Sequence, residues 1–352
     1  MEIRLEGTGG PEGWPVPGCP CASCGRLAPG HRRPASIVLD GRVRLTGAHP
    51  PGGHLVRRTA DGLEVTGPDG GRLLYAAGPA TGSPGRDADP PFDVVLIDLP
   101  DRPERLGDLR RRGRVTPATR IVAVHLDHRV TTESELARRL AFWGAAAVPD
   151  GTVVDTARAE AISQVRPGRT LLLGGSRSGK SEEAELRLAA EPEVTYVATG
   201  PSGGDDPAWL ARVRAHRERR PAHWRTVETT DLVSVLTGGP GTLLVDGIGT
   251  WLAAVFDECA AWPGGTPAAG HHATLDAALG RVAERCDALT AAWRGTRARV
   301  VAVSDEVGLG VIPATPAGRL FRDALGRLNQ ALARESEDVA LVVSGRVVPL
   351  PL

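Results

Sequence analysis

Lysine is all but absent from this chain: Lys180 is the one lysine among 42 basic side chains, and every other is arginine. Arginine serves surface charge and planar, bidentate pairing, whereas a compact ammonium on a flexible stem reaches between phosphate oxygens where a guanidinium does not fit. There is no excess of either charge. Lys plus Arg and Asp plus Glu both total 42, so the formal net charge is zero and no global field draws nucleic acid or an acidic membrane surface. No stretch approaches the ~18 uninterrupted apolar residues of a spanning helix, and the opening Met-Glu-Ile-Arg-Leu-Glu-Gly carries acidic residues where a signal peptide has its apolar region. A soluble cytoplasmic protein, without nucleic acid or a membrane span, is the expectation. Five cysteines, three of them packed as Cys19, Cys21 and Cys24, fit thiols or a metal site in a reducing compartment better than a disulfide frame.

At 352 residues the chain has room for two domains. In residues 1–165, Gly and Pro clusters at 9–18, 50–53, 67–71 and 78–91 separate short apolar runs at 36–39, 94–97 and 120–124, the spacing of short strands with many turns. A helix is predicted over 132–142, so this half reads as α+β or α/β. The polar stretch 158–169 is the expected boundary. From residue 169 to 352 the pattern alternates: strand 170–173, helix 181–191, strand 194–198, helix 206–219, strand 242–246, helix 274–293, strand 299–304, helix 316–335, strand 339–343. Such alternation predicts an α/β domain with a mainly parallel sheet covered by helices. The segment 262–272, ending in His271-His272, reads as a surface loop.

The chemistry concentrates where Thr170-Leu171-Leu172-Leu173 runs into Gly174-Gly175-Ser176-Arg177-Ser178-Gly179-Lys180-Ser181 and then a helix-forming run. Strand, G-x-x-x-x-G-K-S and helix together are a P-loop. Its backbone N–H groups face the phosphates, Lys180 reaches the β- and γ-phosphates and Ser181 holds Mg²⁺. Asp246, closing the apolar strand 242–246, is the candidate carboxylate for the metal. Glu306 follows another buried strand and so falls on the same sheet edge, a candidate for contact with substrate or metal. Two histidines and five arginines crowd into residues 210–224. These residues suit either a solvated basic helix or a phosphate-facing one with a nucleophilic imidazole.

Taken in order, the P-loop, Tyr196-Val197-Ala198-Thr199, His216-Arg217-x-x-Arg220-Pro221-Ala222-His223-Trp224-Arg225-Thr226, Glu306-Val307-Gly308-Leu309-Gly310-Val311-Ile312-Pro313 and Phe321-Arg322-Asp323-x-x-Gly326-Arg327-x-Asn329-Gln330, ending in Val342-Val343-Ser344-Gly345, say more. Residues 169–352 resemble the bifunctional adenosylcobinamide kinase/adenosylcobinamide-phosphate guanylyltransferase family of cobalamin biosynthesis. The resemblance implies a P-loop NTPase-type domain that phosphorylates adenosylcobinamide with ATP or GTP. It then transfers GMP from GTP through a guanylylated histidine, at the position of His216, to give adenosylcobinamide-GDP. It also implies nucleotide-site roles for Thr199, Gly200, Arg219, Arg220, Glu228 and Asp246, and a homo-oligomer. The chain departs from the family at Ser176, where alanine is usual, and at Asp305, where asparagine commonly precedes Glu-Val-Gly; His223 is a second candidate nucleophile. Another small-molecule P-loop kinase, or a nucleotide-sensing binding module, is the alternative.

Residues 7–36, with Gly7-Thr8-Gly9-Gly10, Gly13-Trp14-Pro15-Val16-Pro17-Gly18-Cys19-Pro20-Cys21-x-x-Cys24 and Arg33-Pro34-Ala35-Ser36, resemble the opening of metallo-β-lactamase-fold phosphodiesterases of the phosphonate-pathway type. The resemblance implies a structural zinc on Cys19, Cys21 and Cys24, with His125 or His128 as the fourth ligand. The fold's catalytic H-x-H-x-D-H is absent, and without it no metal-activated hydroxide forms. Residues 1–165 are therefore expected to be a degenerate, non-hydrolytic module.

Overall fold

A computed structural model describes residues 1–45, 53–78, 89–158, 166–200, 220–263 and 274–351. The chain divides into two compact units, Met1–Val165 with Ala189–Pro192, and Arg166–Leu188 with Glu193–Leu352. Among the described residues no helix is long and apolar enough to cross a membrane.

The first unit holds two sheets. One is antiparallel: β1 (Glu2–Gly7) lies between β2 (Ser36–Leu39), which pairs onward with β3 (Val43–Arg44), and β9 (Thr152–Asp155). The other runs β4 (Leu55–Thr59), β5 (Gly62–Thr66), β6 (Arg72–Ala76), β7 (Val94–Ile97), β8 (Arg120–Ala123), antiparallel up to β6 and parallel from β6 to β8. Alternate residues of both sheets, Ile3, Leu5, Ile37 and Leu39 with Val65, Leu73, Val94, Leu96 and Val122, close into one buried cluster, so the sheets share a core. Two helices complete the unit, α1 (Glu104–Arg111) and α2 (Glu133–Trp143). The hydroxyl of Thr132 caps α2 by accepting from Glu135 N at 3.0 Å, and Gly144 ends it in the left-handed conformation. The cap moves the helix one residue on from the predicted start; Leu136, Leu140 and Trp143 form its buried face as the spacing implied.

The second unit is built on seven strands: β10 (Arg169–Gly174), β11 (Thr195–Ala198), β12 (Arg225–Glu228), β13 (Thr242–Asp246), β14 (Arg299–Asp305), β15 (Asp338–Val343) and β16 (Arg346–Pro349). They run β12-β11-β13-β14-β10-β15-β16, parallel except for the terminal β15-β16 hairpin. The helices are α3 (Lys180–Leu188), α4 (Leu232–Thr237), α5 (Ile248–Glu258), α6 (Leu275–Gly295) and α7 (Pro316–Arg334). Both sheet faces are buried. Leu171, Val245, Val300 and Ala302 pack with residues of α4 to α7, whereas Leu172, Leu244, Val301 and Val303 pack with Ala184 and Leu188 of α3. Register sets Gly174 beside Asp305 and Val342, and Ala198 beside Asp246 and Glu228, so the carboxyl ends of five strands gather these residues along one edge.

Four elements, β12, α4, α5 and β16, were not marked by periodicity. Helix α3 ends at Leu188, three residues short of expectation, ahead of Pro192, which cannot continue a helix. The predicted helix 206–219 lies outside the described residues, as does most of the loop 262–272, including His271-His272.

Candidate active site

The P-loop leaves the end of β10 and closes on its own backbone: Ser178 N donates to Gly175 O at 3.2 Å, and Glu183 N donates to Gly179 O at 2.9 Å, carrying the chain into α3. Ser178 O accepts from Gly345 N at 2.8 Å, tying the loop to the β15-β16 turn. Two glycines answer to geometry. Gly179 has φ +96°, the left-handed region. A Cβ on Gly174 would lie 2.7 Å from Val342 O and 2.5 Å from Ser178 Oγ, so only hydrogen fits there. Arg177, at φ +57°, bends the loop between them, while Gly175 and Ser176 continue its exposed outer turn.

Lys180 folds over this loop, its side chain 13% exposed, with Nζ 3.1 Å from Gly175 O and 2.8 Å from Asp305 Oδ1. Ser181 Oγ donates to Asp246 Oδ1 at 3.2 Å. The other Asp246 oxygen accepts a short hydrogen bond from the hydroxyl of Tyr196. Burial first, and then the charge of Asp246, raises the Tyr196 phenol far above its ordinary range, so that hydroxyl stays a donor. Arg220 lies over the Tyr196 ring, 3.6 Å from its centroid, and its Nη1 donates to Thr226 Oγ1 at 3.3 Å. Thr199 is buried, its hydroxyl 2.7 Å from Thr250 Oγ1 and 2.5 Å from Gly247 O, clamping the end of β11 to the start of α5.

Lys180, Ser181, Asp246 and Thr199 thus come together at the strand ends with the loop of Gly174, Gly175, Ser176, Arg177, Ser178 and Gly179. Gly200 follows Thr199, and Glu228 ends β12 on the same edge. Glu306 turns back on its own loop, accepting from Gly308 N at 3.0 Å, while its own N–H donates to Gly174 O. His216 and Arg219 lie outside the described residues; His223 is half-buried just before β12. Tyr196 and Thr250 escaped residue-by-residue reading of function. The signal available for Tyr196 was rarity, since the chain has two tyrosines.

In the first unit, Cys19, Cys21, Cys24 and His128 bring one ligand atom each to within 4.8 Å of one another. His128 Nδ1 is 3.3 Å from Cys19 Sγ and 3.5 Å from Cys24 Sγ. The backbone N–H of Cys24 contacts Cys21 Sγ at 3.4 Å and is the main cause drawing that thiol down to about 7. Three thiols and an imidazole at these separations match the donor set of a tetrahedral zinc site with ~2.3 Å Zn–S bonds. Of the two candidate histidines the structure selects His128. His125 instead pairs with the Tyr75 hydroxyl at 2.7 Å, with its imidazole held below the ordinary range by burial and then by Arg129. Arg129 itself sits among carboxylates, 2.8 Å from Asp127, 3.2 Å from Asp98 and 3.7 Å from Asp101.

A largely parallel sheet with a glycine loop at one strand end, its lysine and serine facing a carboxylate two strands away, defines a P-loop nucleotide-handling protein. The class narrows on comparison with known proteins. The chain belongs to the cobinamide kinase / cobinamide phosphate guanyltransferase family, whose pattern matches residues 170–350. Over 181 residues it is 36% identical to the bifunctional adenosylcobalamin biosynthesis protein CobU of Salmonella typhimurium LT2, covering 50% of this chain and 95% of that protein. The Escherichia coli K12 protein of the same name is 36% identical over 182 residues, again 50% and 95%. The bifunctional adenosylcobalamin biosynthesis protein CobP of Pseudomonas aeruginosa PAO1 is 38% identical over 191 residues, 52% and 96%.

Proposed function

We propose that residues 169–352 phosphorylate the side-chain hydroxyl of adenosylcobinamide with ATP or GTP and then transfer GMP from GTP onto the new phosphate, giving adenosylcobinamide-GDP. The observation that carries this reading is the lone Lys180 folded over its loop beside the Ser181–Asp246 pair. For both steps Lys180 offsets charge on the triphosphate, and the loop N–H groups hold its oxygens in line for attack. Ser181 and Asp246 are the residues to hold Mg²⁺, and their oxygens, 3.2 Å apart, suit an oxygen-seeking cation. When bound, that ion supplies charge neutralisation across the phosphates. Tyr196 and Thr199 position Asp246 and the strand end.

In the second step, neutral His216 attacks the α-phosphorus of GTP as the bond to pyrophosphate breaks. An oxygen of adenosylcobinamide phosphate then attacks that phosphorus and the imidazole leaves neutral. Gly200, Arg219, Arg220 and Glu228 complete the nucleotide site in this reading. Incubation with adenosylcobinamide and GTP, read by chromatography of corrinoids, tests it. Wild type should yield both products, Lys180→Ala neither, and His216→Ala the phosphate alone. Labelled GTP should leave acid-labile, alkali-stable label on wild type and none on His216→Ala. No new corrinoid, with nucleotide still bound, would favour a sensing module instead.

The first unit we read as a zinc-bearing, non-hydrolytic metallo-β-lactamase-like module, with Cys19, Cys21, Cys24 and His128 as zinc ligands. Commitment of Asp98, Asp127 and His125 to Arg129 and Tyr75 supports the absence of a hydrolytic centre. Turnover of a model phosphodiester by the intact protein, lost in Asp98→Asn, would overturn that part.

A further inference from the structure

Asp305 occupies the end of β14, the strand between the P-loop strand and the strand of Asp246. Its backbone is fixed. Asn329 Nδ2 donates to Asp305 O at 3.1 Å, and buried Asn329 is itself held by Ser304 Oγ at 2.6 Å. Its carboxylate is 40% exposed. One oxygen lies 2.8 Å from Lys180 Nζ, and the other lies 2.9 Å from where a Cβ on Gly249 would stand, in the first turn of α5. The carboxylate is thus wedged between the P-loop lysine and α5, with space because residue 249 is glycine.

The charges in this arrangement conflict. Lys180 can give its ammonium to the triphosphate only by releasing Asp305, and the released carboxylate then stands beside a polyanion. Unscreened, that repulsion opposes binding. A divalent cation on the phosphates removes it. We infer that Asp305 is a built-in counter-ion of Lys180 that makes nucleotide binding conditional on the divalent cation, a positioning residue that discriminates metal-bound from metal-free triphosphate. This deepens the reading of Lys180 as the triphosphate-gripping residue and rests on it.

The test is the affinity of the full-length protein for a non-hydrolysable GTP analogue, measured by calorimetry with Mg²⁺ and with EDTA. Asp305→Asn keeps the shape and an acceptor for Lys180 but removes the charge. It should tighten binding in EDTA by about tenfold or more and change binding in Mg²⁺ by less than about threefold, the sizes expected for one charge a few ångströms from phosphate with and without a neutralising ion. Glu306→Gln, one residue on with its carboxylate turned to Gly308 N, should leave the Mg²⁺-to-EDTA ratio as in wild type. Unfolding midpoints establish that both variants are folded. Equal affinities for Asp305→Asn and wild type in EDTA, a change of the same size in both conditions, or an equal effect of Glu306→Gln would each overturn the inference. A wild type that binds no analogue in either condition would instead remove the reading of Lys180 on which it stands.

Discussion

Tyrosine is nearly as rare here as lysine, and both tyrosines set a hydroxyl on a titratable side chain: Tyr196 on Asp246, Tyr75 on His125. Tyr196→Phe removes one donor from Asp246 and keeps the ring under Arg220. A loss of about 1–2 kcal/mol in urea unfolding is expected for a buried, charge-assisted hydrogen bond; an unchanged midpoint would show the bond to be idle. The Tyr75 pair predicts a pH effect. Burial holds the folded His125 imidazole below its ordinary range, whereas in the unfolded chain it takes a proton near ~6.5. The unfolded state therefore binds the proton first, and the contribution is full above about pH 6.5 and lost as pH falls from there. Asp98 works in the opposite sense at more acidic pH, since burial raises its carboxyl. Between pH 7.5 and 5.5, then, His125→Gln should flatten the decline in stability of the first unit. If the variant declines as steeply as wild type, His125 is not the group responsible.

At the scale of elements, the loop between β10 and α3 shows how far one hydrogen atom matters. Gly174→Ala sets a methyl against Val342 O, a ladder carbonyl that cannot withdraw without parting β10 from β15. About 1–3 kcal/mol of destabilisation is expected from such overpacking, with loss of nucleotide affinity. Gly175→Ala meets nothing within 4 Å and should leave stability unchanged. Thermal unfolding of the two variants side by side separates packing from glycine content. The same scale explains what was legible beforehand. Helix α7 shows its amphipathic stripe, Leu325, Leu328 and Leu332, and was placed within a residue. Helix α5 did not stand out, because IGTWLAAVFDE is apolar on nearly every side and its burial comes from tertiary packing. Strand β12 is four largely exposed residues at the sheet edge, without the alternation that marks a strand. The P-loop and Asp246 were legible because their chemistry is local in sequence. The pairing of Lys180 with Asp305 was not, since 125 positions separate them and only β10-β14 register brings them together. His128 over His125 likewise depended on which ring the fold turned toward the thiols.

The whole molecule carries two sets of ligand-binding residues on two compact units with separate buried clusters. A chain built this way need not unfold as one two-state system. A ligand that binds only the native form stabilises by RT ln(1 + [L]/Kd), about 2.7 kcal/mol at a hundredfold excess over Kd, and that gain belongs to the cooperative unit whose residues it grips. Zinc held by Cys19, Cys21, Cys24 and His128 should therefore protect peptides of the first unit, and Mg²⁺ with a GTP analogue those of the second. Hydrogen exchange read by mass spectrometry can assign each effect to sequence. Removing zinc with a chelator, or substituting Cys24→Ser, should speed exchange in β1, β2 and α2 while β10, β13 and β14 keep their wild-type rates. The nucleotide should slow exchange in the P-loop and α3 equally in wild type and Cys24→Ser. If chelation opens β10 to β15 as much as β1, the chain unfolds as a single cooperative body and the zinc site supports the kinase half directly. If chelation changes nothing and the purified protein holds no zinc, the four ligand atoms are a thiol cluster and the metal reading of the first unit fails.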